Sequence, residues 1–329
     1  MMDEDTWEWT DKVRKKLHPR RGGVEAKFRK VMKPRAAFKA LAKAYVGHLE
    51  SGVSKAKMGP AYERLSCVPK DAPELLSPED EARMLEHFFT MAFGAEMVDF
   101  WIGQGTPTFA LRALIAAHKM SNYDRAGWYT QTHCLSDAWT RFRARLSVAE
   151  APEYESALAL ARSLWKEAPF EEQLRLAYAF PAQQEWAHEV ADRYVDRPKT
   201  RMEFLYHSLT DPKRLNAILD RSVWWETGIF FSFVEGTGHD ALESLVPLFD
   251  KAKKTPQRKI VYEALAIIPS DDAMLALLER EGDRAMLPFL TSASMRWPTR
   301  AERLLRAALA KKKSATLASL LNAVENVLS

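Results

Sequence analysis

Apolar residues recur through most of the chain at the three-to-four spacing of a helix face. From Arg35 onward, Phe38, Leu41, Ala42, Tyr45, Val46 and Leu49 form one stripe, and Pro34 suits the first turn of the helix that carries it. Ser77-Pro78-Glu79-Asp80 opens a second helix bearing Met84, Leu85, Phe88 and Phe89, and Thr106-Pro107 opens a third bearing Leu111, Leu114, Ile115 and His118. Between Met58 and Pro78 lie Pro60, Pro69 and Pro73, which forbid a continuous helix and mark a boundary.

From residue 151 the pattern becomes periodic. Segments beginning at Ala151-Pro152, Phe180-Pro181, Asp211-Pro212, Gly238-His239-Asp240, Pro269-Ser270-Asp271 and Pro298-Thr299 return about every thirty residues, in line with known helical repeats. Each start supplies a Pro, an acid or a hydroxyl that opens or caps a helix, and a second helical pattern follows a short break. In the unit from Ser270, Met274, Leu275, Leu277 and Leu278 belong to the first helix, Gly282 and Asp283 interrupt, and Met286, Leu287, Phe289 and Leu290 begin the second. A pair of short helices cannot bury its apolar faces alone, so neighbouring pairs must stack. The expected fold is all-α: an α-solenoid of about six HEAT-like hairpins over residues 151–329, a helical but non-periodic part over 58–150, and a charged leader with a basic amphipathic helix over 1–57. Leu275, Leu278, Leu287 and Leu290 are expected between neighbouring hairpins.

Composition supports helix and excludes several classes. Alanine and leucine number 46 and 36 against 16 valines and 7 isoleucines, and the first pair lose less side-chain entropy in a helix. Two cysteines, Cys67 and Cys134, cannot build a disulfide framework. The start Met1-Met2-Asp3-Glu4-Asp5 is acidic where a secretory signal is basic, and no apolar run reaches eighteen residues, so the cytoplasm is the expected compartment, with no transmembrane segment.

Charge is divided unevenly. Residues 1–10 carry a net −4, residues 11–57 a net +12 and the remainder a net −4. Lys12, Arg14, Lys15, Lys16, Arg20, Arg21, Arg29, Lys30, Lys33, Arg35, Lys39 and Lys43 are therefore candidates to contact a polyanion, with counterion release as the driving force. The alternatives are a solvated tail or a segment folded back onto the acidic body.

The run from Pro269 to Leu290 and the Arg-Trp-Pro-Thr-Arg-Ala-Glu-Arg-Leu-Leu run from Arg296 to Leu305 resemble the HEAT-like helical region of large bacterial proteins of the WGR-domain, MolR-like type. The resemblance covers the C-terminal third, lacks the Trp-Gly-Arg triplet, and implies a repeat scaffold without carrying over any functional residue.

Sites of chemistry are sparse. Gly236-Thr237-Gly238-His239-Asp240-Ala241 fits the glycine pattern of a dinucleotide loop and follows Gly228–Val234, a run compatible with a strand. It also falls in register with the thirty-residue repeat and lacks βαβ surroundings, so a loop with Asp240 capping the next helix is expected. The eight histidines show no zinc-ligand spacing, and His133-Cys134 point apart on a helix, so neither a metal nor a cofactor is expected. Arg141 and Arg145 share a helix face, facing either phosphate or Glu150 and solvent. Of ten tryptophans, Trp165, Trp186 and Trp297 fit core positions, while the adjacent Trp224 and Trp225 cannot both face one interior and offer a partner contact. The reading that follows is a non-enzymatic scaffold presenting a helical-repeat surface to a protein partner. The alternative is a HEAT-like nucleic-acid-binding protein, including a DNA glycosylase of the alkylpurine type.

Overall fold

The computed structural model describes residues 4–49, 73–87, 93–120, 131–194, 203–219 and 225–329. Among them there is no strand, and the chain is all-α. The expected helix starts are used. Ser270 Oγ accepts the Ala273 N–H, Ser314 Oγ the Leu317 N–H, Ser77 Oγ the Asp80 N–H, and Asp211 the Lys213 N–H. Pro34, Pro78, Pro107, Pro212 and Pro298 each occupy the first position of a helix, where a missing N–H costs nothing.

Contacts divide the chain into two compact units: Met1–Leu17, Gly23–Lys27 and Ala187–Ser329 form a C-terminal unit, and His18–Gly22 with Phe28–Trp186 an N-terminal one. The charged N-terminal segment thus contributes to both. The Pro-rich stretch expected as a boundary falls largely on residues 50–72, outside the described residues.

After a short α1 (Asp11–Arg14), the N-terminal unit holds α2 (Pro34–Leu49), α3 (Pro78–His87), α4 (Gly94–Gln104), α5 (Pro107–Met120), α6 (Gln131–Ser147), α7 (Ala151–Trp165) and α8 (Phe170–Ala179). The helices α2, α4, α6 and α8 pack in that order in one layer, and α3, α5 and α7 in another. The first half of the chain therefore alternates as the second half does. Its core is aromatic: Phe38 lies 5.3 Å from Phe100, Trp139 meets Phe142 edge-on, and Trp165 stacks on Trp186 at 4.5 Å. Trp101, fully buried, donates its indole N–H to Glu81, also fully buried, at 2.9 Å.

Across the boundary runs α9 (Gln184–Tyr194). The C-terminal unit continues with α10 (Glu203–Tyr206), α11 (Pro212–Leu219), α12 (Thr227–Thr237), a 3-10 turn (Gly238–Ala241), α13 (Leu242–Leu245), α14 (Leu248–Lys251), α15 (Thr255–Leu265), α16 (Asp271–Leu278), α17 (Leu287–Arg296), α18 (Pro298–Lys311) and α19 (Ala315–Leu328). One layer is α10, α12, α15, α17 and α19, each packed on the next; α11 packs on α13 and α16 on α18 in the other.

Three local expectations are corrected. Gly228–Val234 lies within helix α12, so strand, glycine turn and helix do not follow one another. Asp240 sits inside the 3-10 turn and makes no side-chain cap. Leu275 is 40% exposed and Leu287 half-buried. In α16 the inward positions are Ala273, Met274, Ala276, Leu277 and Leu278. The turns after Gly282 delay α17 so that Met286, Leu290, Ala293 and Trp297 point inward instead.

Candidate functional site: helix faces clasped by the N-terminal segment

Buried charge concentrates where residues 4–33 meet the helices. In the N-terminal unit, α4 reads Gly-Ala-Glu-Met-Val-Asp-Phe-Trp-Ile-Gly, an apolar helix interrupted by Glu96 and Asp99, which are 3% and 2% exposed. Isolated charges at that depth are strongly unfavourable, so each demands a partner. Asp99 receives both arms of Arg141 from α6, Nε on Oδ1 at 2.8 Å and Nη2 on Oδ2 at 2.6 Å, and it also accepts the Met32 N–H at 2.9 Å. The remaining nitrogen of Arg141 donates to the carbonyl of Arg29, while the Arg29 guanidinium reaches Glu96 at 2.5 Å. Two residues on, Arg143 is 1% exposed and donates to the carbonyls of Pro19, His18 and Tyr178. Arg21 donates to the Ala149 carbonyl and lies over the Tyr154 ring. Arg141 thus faces neither phosphate nor Glu150. Together with Arg143 it holds a non-helical stretch by its main chain.

The His18 ring sits against the Tyr178 hydroxyl, with Nδ1 2.6 Å from it. Burial, aided by the Arg143 guanidinium, pushes its pKa down to about 3. His118 on α5, 7% exposed, is pushed to about 3 by burial first and then by Arg175 and Lys119. Both rings are therefore neutral at pH 7. Burial raises Glu172, against the opposing influence of Lys119 and Arg175.

In the C-terminal unit the same segment lies on α12, α15 and α17. Lys12 and Lys16, one turn apart, both reach Glu263 of α15, at 2.5 and 3.7 Å. Lys16 also lies over the Phe231 ring, and its carbonyl passes so close to α12 that a Cβ on Gly228 would meet it at 2.7 Å. The Val24 N–H donates to Glu235, Lys27 pairs with Asp11, and Arg14 donates to the Trp9 carbonyl. Trp7 and Trp9 stack on each other at 5.4 Å, and Trp7 meets His239 edge-on. At the start of α18, the Glu4 carboxylate accepts the N–H groups of Thr299 and Arg300.

The candidate polyanion residues therefore separate into two sets. Lys12, Arg14, Lys16, Arg21 and Arg29 are engaged within their own units, and Arg20 is half-buried. Lys15 is exposed at the end of α1. Lys30, Lys33, Arg35, Lys39 and Lys43 are exposed and make no ion pair among the described residues, and Arg35, Lys39 and Lys43 recur every fourth residue along one ridge of α2. Trp225 is half-buried against Phe230, and Trp224 lies outside the described residues. The side chains of His133 and Cys134 lie outside them too.

Among the described residues no group of three His, Cys, Asp or Glu could hold a metal ion, and no helix is long and apolar enough to cross a membrane. The geometry is that of an all-α protein whose alternating helices fasten the N-terminal segment of their own chain. The chain belongs to the family of the YehI second domain, whose model matches residues 54–226. No curated protein and no solved structure matches it.

Proposed function

We propose that this chain is a non-enzymatic scaffold whose helices stack, within each unit, as HEAT-like hairpins of an α-solenoid and present a surface to a protein partner. One observation carries the reading: buried arginines of the helix layer, Arg141 and Arg143, hold a non-helical stretch of polypeptide by the carbonyl groups of His18, Pro19 and Arg29. Main-chain recognition of this kind is sequence-tolerant and suits a surface that takes up peptide. A scaffold role is also what the resemblance to WGR-type helical regions implies. Cross-linking in cells that express the full-length chain tests it. The expected result is a partner recovered reciprocally, with its cross-links on the helices of the two units. Cross-links confined to the chain itself, together with turnover of a small molecule, overturn it.

A second reading, association with nucleic acid, is favoured only by the ridge of Arg35, Lys39 and Lys43. If duplex DNA is a ligand through that ridge, replacing the three by Gln lowers the slope of log K against log salt by about 3, close to 0.9 per lost phosphate contact. An unchanged slope removes the ridge from consideration.

A further inference from the structure

The junction of α17 and α18 has the construction of a peptide site. Helix α18 begins Pro298-Thr299-Arg300, and its N-cap residue, Trp297, provides no side-chain cap there. The first-turn N–H groups are instead met by Glu4, at 2.7 Å from Thr299 and 2.7 Å from Arg300. Arg300, 8% exposed, donates from Nη1 to the Glu4 carbonyl at 2.8 Å and from Nη2 to Asp5 at 2.6 Å. One turn back, Arg296 reaches Glu8 at 3.1 Å. Both guanidiniums lie near the buried Trp297 ring. The site therefore reads a carboxylate, the carbonyl of the same residue, the next side chain, and an acid four positions along.

The two sides of this contact are built differently. The receiving side is anchored without the segment: Arg300 Nε is held by Asp271 at 3.1 Å, Arg296 Nη1 by the Ala266 carbonyl at 3.0 Å, and Asp271 has its own pair with Arg303. The Arg303 bond first, and Arg300 in addition, keep the Asp271 carboxyl below the usual range, so it remains charged and holds Arg300 in place. The delivered side is solvent-exposed, with the Asp5 and Glu8 side chains 80% and 65% accessible. Pairs with one partner in solvent are open to screening by salt and to competition by other carboxylates. A pair of arginines anchored from their own side is thus met by a segment whose Asp5 and Glu8 carboxylates face solvent.

We infer that the α17–α18 junction is a recognition site for extended acidic peptides with an acid-acid-x-Trp-acid pattern, that Glu4–Trp9 fills it in cis, and that an acidic segment of a partner protein takes it by displacing the chain's own. This rests on the reading of the chain as a protein-binding scaffold and names the chemistry of what it binds. A cis segment acts as a tethered competitor, so the partner's apparent affinity is lowered by the fraction of chains in which Glu4, Asp5 and Glu8 occupy the site.

The test uses full-length chain and a fluorescein-labelled peptide, Asp-Glu-Asp-Thr-Trp-Glu-Trp-Thr, followed by anisotropy. The variant E4Q/D5N/E8Q weakens the cis segment without touching the receiving side, and it is expected to bind the peptide at least ten-fold more tightly than wild type. A peptide with Gln in place of its first Glu is expected to lose that binding, a control independent of how any variant folds. Adding R300Q to the triple variant is expected to abolish binding. Equal affinity for wild type and the triple variant, once proteolysis shows the variant's N-terminal segment released, overturns the site, as does a Gln peptide that binds equally well. A wild-type dimer that grows with concentration and is abolished by E4Q/D5N/E8Q assigns the site to a second copy and overturns the partner assignment. Because the assay needs no partner, peptide binding without any partner in cells would remove the scaffold reading while keeping the site. A partner that binds a chain unable to take the peptide would do the reverse.

Discussion

Replacing Arg141 by Leu isolates the strongest fastening in the N-terminal unit. The guanidinium is 4% exposed and its partner Asp99 2%, so removing it leaves a carboxylate beneath the surface with one donor, the Met32 N–H. Breaking a buried pair from one side costs about 3–5 kcal/mol, because the remaining charge has lost its counter-charge and is shielded from water. Losing the bond to the Arg29 carbonyl adds about 1 kcal/mol. Against a total stability of about 5–15 kcal/mol, that is enough to shift a urea midpoint by well over a molar. Asp99→Leu should cost a similar amount, since Arg141 would then be stranded. The double variant Arg141→Leu/Asp99→Leu should recover to within about 2 kcal/mol of wild type, because an apolar replacement of a buried pair is often nearly neutral. Hydrogen exchange should report faster opening at Arg29–Lys33 in the Arg141 variant. A single-variant cost below about 1 kcal/mol, or a double variant that equals the sum of the singles, would refute the claim that this pair binds the segment to the helices.

Four further outcomes are expected. Leu290→Ala should cost about 2–5 kcal/mol in chemical denaturation as a fully buried large-to-small change, whereas Leu275→Ala on the outer face of α16 should stay within about 0.5 kcal/mol. His118 has a folded pKa near 3, below its unfolded value of 6.5, so the unfolded chain takes up its proton first as pH falls. The stability it supports is complete above pH 6.5 and declines toward pH 3, by about 2 kcal/mol at pH 5, and urea midpoints of His118→Leu should be correspondingly less steep in pH. Gly228→Ala should push the Lys16 carbonyl off α12, seen as faster proteolysis after Lys12, Lys15 and Lys16 with the unfolding midpoint of the helices little changed. Tyr262, its pKa pushed up to about 12 by burial and then by its bond to Asp283, should show no phenolate absorbance at pH 10.5 until the chain is unfolded.

The legibility of this fold in its sequence depended on how local the physics was. Helix starts at Asp211 and Ser270 are decided by a side chain and an N–H two or three residues away, and they stand where the pattern places them. The alternation of α3 to α8 obeys the same rule but is hidden by unequal connections, so no fixed period shows between Pro78, Pro107 and Ala151. A one-residue change of phase in α17 was enough to exchange Leu287 for Met286 as the inward residue. The clasp was hardest to see. Residues 18–33 form no helix, turn at Arg21–Gly23 and are held in part through main-chain groups, so their own side-chain order carries no period. The signal lay in the receiving helices, in Glu96 and Asp99 on an apolar α4 and in Arg141 and Arg143 on α6. Charges on a buried face require partners from elsewhere in the chain. For the basic residues the sequence left two fates open, and the structure engages Lys12, Arg14, Lys16, Arg21 and Arg29 while leaving Lys15 and the five from Lys30 to Lys43 exposed.

The contact between Glu4 and Arg300 also orders events in time. Its partners are 296 residues apart along the chain. A ribosome adding about 5–20 residues per second takes about 15–60 s to cover that distance, and through this interval the acidic, aromatic start of the nascent chain has no junction to dock on. The helices of the N-terminal unit emerge complete well before α18 does. Docking of Glu4, Asp5 and Glu8 on the α17–α18 junction is therefore among the last steps of maturation, and until residues 227–241 emerge Trp7 lacks the His239 ring that it meets in the folded chain.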